Sequence, residues 1–254
     1  MILLLDIGNH TLHLGLAKGR RIVWHQDLPA QARGFRLDHP AAIRKAEGIE
    51  GAVIASVVPA FTAGFAGLFR NQFGVEPLVV DARTDTGLRL HYHPRSSLGA
   101  DRIANAAAAW HLYHRDAIVV DLGTATTIEV VTRPGVFRGG AIMPGLGTML
   151  AALKLGTAQL PKVGLRVPRR AIGASTESGI RSGVFHAHFA GINRLVELAR
   201  QEVGRKCLVI ATGGLSRRFG RYINGVSSVN PLLTLQGLSI IFDLHNTARR
   251  NNGR

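Results

Sequence analysis

The chain has 254 residues, of which 46% are hydrophobic and 19% are charged, and this composition predicts a globular protein with a substantial core. Its single cysteine, Cys207, excludes an intramolecular disulfide framework and a cysteine-rich metal site, and we expect it in the core. The formal net charge of +15 favours polyanions in general, but it does not choose between nucleic acids, anionic membranes and phosphorylated small molecules.

The basic residues lie in short clusters, such as residues 18–21, 168–170 and 216–221. No RNA-binding box with interleaved aromatic residues accompanies them. We therefore expect most of these arginines to be solvated surface residues, and we expect no specific nucleic-acid partner.

The first predicted element is the apolar run from Met1 to Leu5, which we interpret as a buried strand. Asp6 interrupts the run, so it is too short for a membrane span, and it lacks the basic start of a signal peptide. The sequence thus predicts a cytoplasmic protein without a membrane partner.

Two stretches of the chain repeat one pattern, "LLLDIGNHTLHLGL" at residues 3–16 and "VVDLGTATTIEVV" at residues 119–131. At a constant offset of 115 residues, Asp6, Gly8, Asn9 and Thr11 pair with Asp121, Gly123, Thr124 and Thr126. Each copy predicts a strand, a tight turn and a second strand. Either copy alone could be an ordinary hairpin, but two copies in register favour a pair of turns that hold phosphate and a cation.

The sequence also predicts two helices and a third glycine turn. The alanine-rich stretch from Ile103 to Tyr113 predicts a helix, and residues 183–202 predict another. The run from Leu208 to Ala211 leads into Gly213 and Gly214, where backbone amides favour a flat or phosphorylated ligand, unless the turn is a simple strand-to-helix loop. The repeat itself indicates two α/β lobes, residues 1–115 and 116–254, with a ligand cleft between them.

Taken in order, the three turns resemble the two phosphate motifs and the adenosine motif of the acetate and sugar kinase/Hsp70/actin superfamily. More narrowly, the chain resembles the type III pantothenate kinases. The further matching stretches are "GADRIANAAAAW" at 99–110, "GGAIMPGL" at 139–146, "TAQLP" at 157–161, "IGASTESGIRSG" at 172–183 and "PLLTLQGL" at 231–238. This resemblance implies an actin-like ATPase fold of two ribonuclease H-like lobes with duplicated topology.

The resemblance also implies the reaction, which is ATP-dependent phosphorylation of pantothenate to 4'-phosphopantothenate, the first step of coenzyme A biosynthesis. Asp101 matches the general base that accepts the proton of the attacking hydroxyl. Arg102 matches the residue that holds the pantothenate carboxylate. The implied substrate contacts are Tyr92, Gly99, Ala100, Asp101, Arg102 and Thr176. The implied ATP contacts are Asp6, Ile7, Gly8, Asn9, His10, Thr11, Leu12, His13, Thr124, Gly213 and Gly214.

Cofactors and assembly follow from the same resemblance. Asp6 is expected near the Mg²⁺ that accompanies ATP, since Mg²⁺ commonly uses only one or two carboxylates. Asp121 matches the ligand of a monovalent cation, either K⁺ or NH₄⁺. A homodimer is implied, in which Thr176 of one subunit completes the substrate pocket of the other.

Several alternatives stay open at this stage. Asp101 could be a helix N-cap, Tyr92 a half-buried surface aromatic residue and Thr176 a helix cap. His10 stands where the family commonly has Thr or Ser, and a bulkier imidazole could alter the phosphate turn. Two rival functions remain: a kinase for another small alcohol, and a non-catalytic accessory or transcriptional regulator of the same fold.

Overall fold

The computed structural model describes residues 1–30, 43 and 48–252. The strands of the described part are β1 (Ile2–Ile7), β2 (Thr11–Lys18), β3 (Arg21–Pro29), β4 (Gly51–Ser56), β5 (Pro77–Val79), β6 (Arg89–Leu90), β7 (Ala117–Leu122), β8 (Ala125–Thr132), β9 (Val136–Pro144), β10 (Leu208–Thr212) and β11 (Ser228–Val229). The helices are α1 (Pro59–Phe73), α2 (Ala100–Tyr113), α3 (Leu146–Leu155), α4 (Thr176–Val203), α5 (Ser216–Phe219) and α6 (Leu233–Asn252). No described helix combines the length and the apolar character that a membrane crossing needs.

The first sheet has the strand order β3-β2-β1-β4-β5. Strand β1 is antiparallel to β2 and parallel to β4, and all six of its residues are buried. A continuous apolar run is typical of a strand covered on both faces. The predicted buried strand at the beginning of the chain is therefore present, and it extends to Ile7.

The second sheet has the strand order β11-β10-β7-β8-β9-β6. Strand β10 is parallel to both β7 and β11. Cys207, directly before β10, is a buried free thiol with 3% exposure, which confirms the prediction of a core residue. Both predicted strand, turn and strand units are also present, as β1 with β2 and as β7 with β8.

The chain divides into two compact units. The first unit contains residues 1–115, 131–138 and 232–254, and the second contains residues 116–130 and 139–231. The sequence predicted a division near residue 115, but it placed all of residues 116–254 in one lobe. Residues 232–254 join the first unit because α6 packs on α2. A Cβ at Gly237 would lie 2.0 Å from the Ala104 carbonyl oxygen, so the close approach of α6 to the backbone of α2 depends on glycine at this position.

Two helices begin earlier than the sequence predicted. Helix α2 starts at Ala100 instead of Ile103, and α4 starts at Thr176 instead of residue 183. In α4 the side-chain hydroxyl of Ser175 accepts the Ser178 backbone N–H, and Ser178 Oγ accepts the Ser175 backbone N–H, which forms a reciprocal capping box. Both earlier starts bring predicted functional residues into the first turn of a helix.

Candidate active site

Asp101 is the second residue of α2 and lies in its first turn. The capping position belongs to Gly99, which has no side chain to donate or accept, so the alternative that Asp101 is the N-cap is wrong. Its Oδ1 accepts the backbone N–H of Arg102 at 2.8 Å. A carboxylate at this position is favoured by the partial positive charge of the helix N-terminus. Asp101 is thereby fixed on a regular element.

Burial raises the pKa of the Asp101 carboxyl, because a charged group is poorly solvated there. The backbone N–H of Arg102 and the positive charge of that residue act in the opposite direction but do not cancel the effect. A carboxylate with a raised pKa is a stronger proton acceptor once it is ionised. This is the electrostatic setting that general-base chemistry needs.

Tyr92 and Arg102 form a compact group close to Asp101. Arg102 is 4% exposed, and its NH1 donates to the Tyr92 hydroxyl at 3.3 Å. The guanidinium carbon lies 5.5 Å from the Tyr92 ring centroid and 5.7 Å from that of Phe137. These contacts are cation–π interactions. The structure therefore brings together two of the predicted substrate residues.

The turn between β1 and β2 is closed by a hydrogen bond from the Gly8 backbone N–H to the Thr11 carbonyl at 2.9 Å. Asp6 is 9% exposed at the end of β1, whereas Asn9 and His10 are exposed at the tip of the turn. Ile7 and Leu12 are core residues with 0% and 4% exposure. Among the predicted ATP contacts of this stretch, Ile7 and Leu12 can therefore offer only backbone groups.

His13 is committed to a cross-strand pair. Its Nδ1 lies 2.7 Å from Asp27 Oδ1 on the facing strand β3. This hydrogen bond lowers the pKa of the Asp27 carboxyl, although burial acts to raise it. If the predicted ATP contact of His13 used its side chain, it would compete with this existing partner.

Short contacts connect the first turn to Asp101 within the first unit. The backbone N–H of Val57 donates to the Ile7 carbonyl at 3.1 Å. A Cβ at Gly99 would lie 3.6 Å from Val57 Cγ1 and 2.4 Å from Asp101 Oδ1. The end of β1, Val57 and the start of α2 are therefore neighbours, and the predicted phosphate turn and the predicted base lie at one end of the first sheet.

A cavity of about 1130 Å³ opens in the first unit. Its wall includes Gly99 and Ala100, two of the predicted substrate contacts, together with Ser56 and Val57. The side chains of Tyr92, Asp101 and Arg102 are not part of this wall. Ligand cavities typically measure about 300–1,000 Å³, so this space is ample for a small substrate.

In the second unit, Asp121 stands in a cradle of glycines. A Cβ at Gly213 would lie 2.2 Å from Asp121 Oδ1, and a Cβ at Gly123 would lie 3.5 Å from it. Gly213 has a positive φ of 86°, which disfavours other residues. The two glycine turns are also joined by the Leu215 N–H, which donates to the Leu122 carbonyl at 3.2 Å.

The carboxylate of Asp121 is a hard oxygen ligand of the kind that such cations prefer, which is compatible with the cation role predicted from the sequence. Within the described ranges, no cluster of three or more His, Cys, Asp or Glu side chains could hold a metal ion. Asp6 and Asp121 each supply one carboxylate to the ion sites that were predicted from the sequence.

Thr176 is the first residue of α4 and is exposed. The capping side chain is that of Ser175, so the alternative that Thr176 is the helix cap is wrong. One turn later, Arg181 pairs with Glu177. The Thr176 hydroxyl is thus presented at a well-defined helix start.

These residues can be compared with known proteins. A family profile described as type III pantothenate kinase matches residues 2–198. A type III pantothenate kinase from Moorella thermoacetica is 34% identical over 251 residues, which cover 96% of this chain and 99% of the relative. The chain belongs to the type III pantothenate kinase family. The resemblance that the sequence motifs indicated is thereby confirmed.

Solved structures support the fold. A protein from Campylobacter jejuni described as a Baf family transcriptional activator has a TM-score of 0.60 at 20% identity, covering 96% of this chain and 99% of that one. A protein from Sinorhizobium meliloti described as a 2-dehydro-3-deoxygalactonokinase has a TM-score of 0.59 at 14% identity, covering 96% of each chain. At such low identity these likenesses show the fold alone, and they confirm the predicted α/β fold of the actin-like ATPases and sugar kinases.

The sequence motifs of this pantothenate kinase family gave no role to Gly145 and Thr148, two residues that shape the turn between β7 and β8. The Thr124 carbonyl accepts the Gly145 backbone N–H at 3.0 Å and the Thr148 hydroxyl at 2.6 Å. A Cβ at Gly145 would lie 2.3 Å from the Gly123 carbonyl oxygen, so only glycine fits there. The stretch "GGAIMPGL" was a family match without an assigned role, and its last glycine was the available signal.

Proposed function

We propose that this member of the type III pantothenate kinase family transfers the γ-phosphoryl group of ATP to the primary hydroxyl of pantothenate, with Asp101 as the general base. The family shows the reaction class, and the position of Asp101 is the observation that carries the residue assignment. Its carboxylate is held in the first turn of α2, its pKa is raised by burial, and the neighbouring Gly99 and Ala100 line a cavity.

The proposed step balances without a further reactant. The hydroxyl oxygen of pantothenate forms a bond to the γ-phosphorus, and the bond from that phosphorus to the bridging oxygen breaks, which releases ADP. The hydroxyl proton passes to the Asp101 carboxylate. A positioned base of this kind contributes about 10²- to 10⁴-fold to the rate.

We assign the nucleotide contacts separately in the two units. In the first unit they are the turn residues Asp6 to His13, and in the second unit they are Thr124, Gly213 and Gly214. Mg²⁺ bound at Asp6 would neutralise phosphate charge. The glycine cradle at Asp121 supports a monovalent cation there, either K⁺ or NH₄⁺.

The substrate contacts that we propose are Gly99, Ala100, Tyr92 and Arg102 in the first unit. The proposal also includes a homodimer in which Thr176 of the partner subunit reaches the substrate. The exposed position of Thr176 at the start of α4 is compatible with this role. We expect the enzyme to act in the cytoplasm.

The test is a coupled assay of ADP release with pantothenate, ATP and Mg²⁺, with and without K⁺. Asp101→Asn should lose about a hundredfold or more of kcat. The matched control is Asp243→Asn, which removes a carboxylate that pairs with Arg20 at 3.2 Å, and it should retain activity. No product from the folded parent under any cation would overturn the kinase proposal.

A further inference from the structure

Two donors from the start of α3 hold the carbonyl group of Thr124, which lies in the turn between β7 and β8. The Thr148 hydroxyl donates to this carbonyl at 2.6 Å, and the Gly145 backbone N–H donates to it at 3.0 Å. A distance of 2.6 Å lies at the short end of the normal range for O–H···O hydrogen bonds. One side chain and one backbone group of the same helix start therefore hold one oxygen of the turn.

The position of this carbonyl affects the direction of the Thr124 side chain. The carbonyl belongs to the planar peptide group that joins Thr124 to Ala125, so a fixed carbonyl restricts ψ of Thr124. The turn itself is closed by the Gly123 backbone N–H, which donates to the Ala125 carbonyl at 3.2 Å. The hydrogen bonds from α3 therefore restrict the rotation that this closing bond leaves at Thr124.

The turn and the start of α3 share one core. Leu122, the last residue of β7, and Leu146, the first residue of α3, are both 2% exposed and belong to the same hydrophobic cluster. Thr124 and Thr148, by contrast, are exposed. The core thus keeps the helix start next to the turn, while a ligand can reach the Thr124 side chain.

The turn between β1 and β2 is held in a comparable way. The carbonyl of His10, at the tip of that turn, accepts the backbone N–H of Ala30 at 2.9 Å, and Ala30 directly follows β3. The two turns differ in length, since the first is closed from Gly8 to Thr11 and the second from Gly123 to Ala125. Because a donor from another element holds a tip carbonyl in both, the recurrence favours a functional need that the two turns share.

We propose that Thr148 is a positioning residue for the nucleotide, whose hydroxyl holds the turn between β7 and β8 in the orientation in which Thr124 contacts the phosphates of ATP. This inference rests on the proposed function, which assigns Thr124 to ATP. Thr148 lies two residues beyond the stretch "GGAIMPGL", outside every family motif identified in the sequence. It acts through Thr124 and not by touching the reacting atoms.

The test is calorimetric binding of two ligands measured separately, a non-hydrolysable ATP analogue with Mg²⁺, and pantothenate. Thr148→Val removes the hydroxyl but keeps the branched shape and a similar helix propensity, and Thr148→Ser keeps the hydroxyl. The matched control is Thr247→Val in α6, which removes another exposed hydroxyl that donates to a backbone carbonyl, that of Asp243 at 2.8 Å.

Thr148→Val should bind the ATP analogue about threefold to tenfold more weakly than the parent, the factor expected for one lost hydrogen bond. Its affinity for pantothenate should change by less than about twofold, because the proposed substrate contacts of the same chain lie in the first unit. Thr148→Ser and Thr247→Val should bind both ligands as the parent does. In steady-state kinetics, Thr148→Val should raise the KM for ATP and leave the KM for pantothenate unchanged.

Three outcomes would overturn the inference. Analogue binding by folded Thr148→Val that equals that of the parent would show that the hydroxyl does not orient the turn for the nucleotide. An equal loss of affinity for both ligands would show a general structural effect, which urea unfolding of the variant would reveal. A Thr148→Ser variant that binds the analogue as weakly as Thr148→Val would show that the hydroxyl is not the cause.

The same measurements separate this inference from the proposed function, because binding requires no turnover. A parent that binds the analogue but forms no phosphopantothenate would refute the proposed function alone, and the variants would still decide the role of Thr148. A parent that does not bind the analogue would overturn both.

Discussion

The carboxylate of Asp101 lies against the Cα of Gly99, so that a Cβ on residue 99 would come within 2.4 Å of Oδ1. The backbone of Gly99 has φ −61° and ψ 141°, an extended conformation open to any residue. A larger residue at position 99 would therefore meet the Asp101 carboxylate and would not be excluded by backbone conformation. Gly99, which precedes α2, therefore leaves room for the Asp101 carboxylate in its observed position.

Gly99→Ala should displace the Asp101 carboxylate and lower kcat by about tenfold or more, because a misplaced base loses much of its effect. The matched control is Gly64→Ala in α1, where an added Cβ meets nothing within 4 Å. Steady-state kinetics of both variants would decide the point. If Gly99→Ala kept the parent kcat, the orientation of Asp101 would not depend on this contact.

Ionised Asp101, the proposed catalytic base, should lower the free energy of unfolding of the protein. Its pKa is raised in the folded state, chiefly by burial, from an ordinary value of 3.8. As pH rises, the unfolded chain ionises first, so the folded state loses stability through the window that begins near this value. At pH 7 the neutral variant Asp101→Asn should therefore be more stable than the parent, even though it is much less active.

Two measurements test whether Asp101 lowers stability while it supports activity. Urea unfolding at pH 7 should show a higher free energy of unfolding for Asp101→Asn. In the parent, kcat/KM should fall on the acid side with an apparent pKa above 3.8, because protonated Asp101 cannot accept the hydroxyl proton. A less stable Asn variant would contradict the proposed desolvation of the carboxylate.

The repeated strands were predictable from sequence, because apolar runs that end in Asp-x-Gly are a local signal. The start of α2 was not, since Gly99 caps it without a side chain and the alanine run gives no boundary. The placement of residues 232–254 in the first unit depends on the contact of Gly237 with Ala104, which is a long-range packing effect. The burial of Arg102 was also not predictable from the sequence, since arginine is rarely buried unless it is paired.

The candidate site was predictable to the extent that it follows family motifs. Asp101, Arg102 and Asp121 stand out in the sequence because each belongs to a motif with defined spacing. Arg89 and Arg95 belong to no such motif. They line the same cavity as Gly99, and this is visible only once the 3₁₀ turn Arg95–Ser97 is in place. The sequence alone does not show which arginines line the same cavity.

His188 should make the protein sensitive to acid. It is 1% exposed, its Nε2 lies 3.3 Å from Thr126 Oγ1, and its Nδ1 has no hydrogen-bond partner among the described residues. Burial lowers its pKa from the ordinary 6.5. Below about pH 6.5 the unfolded chain therefore takes up a proton that the folded state resists, and stability is lost as pH falls.

The variant His188→Gln keeps a polar group near Thr126 but removes the titration. Its free energy of unfolding should fall less steeply between pH 7 and 5 than that of the parent, by up to about 1.4 kcal/mol per pH unit. The control His186→Gln changes an exposed histidine on the same helix and should follow the parent. Identical slopes for all three proteins would show that His188 does not resist protonation.

Gly213→Ala should weaken the response to K⁺, because the new methyl group would stand 2.2 Å from Asp121 Oδ1. The substitution also carries backbone strain at φ +86°, which costs about 1–3 kcal/mol. Gly204→Ala separates the two effects, since Gly204 has φ +66° but nothing within 4 Å of an added Cβ. Both variants should lose stability in urea unfolding, whereas only Gly213→Ala should need a higher K⁺ concentration for half-maximal activity. If the two variants responded to K⁺ alike, Asp121 would not be the ligand of the monovalent cation.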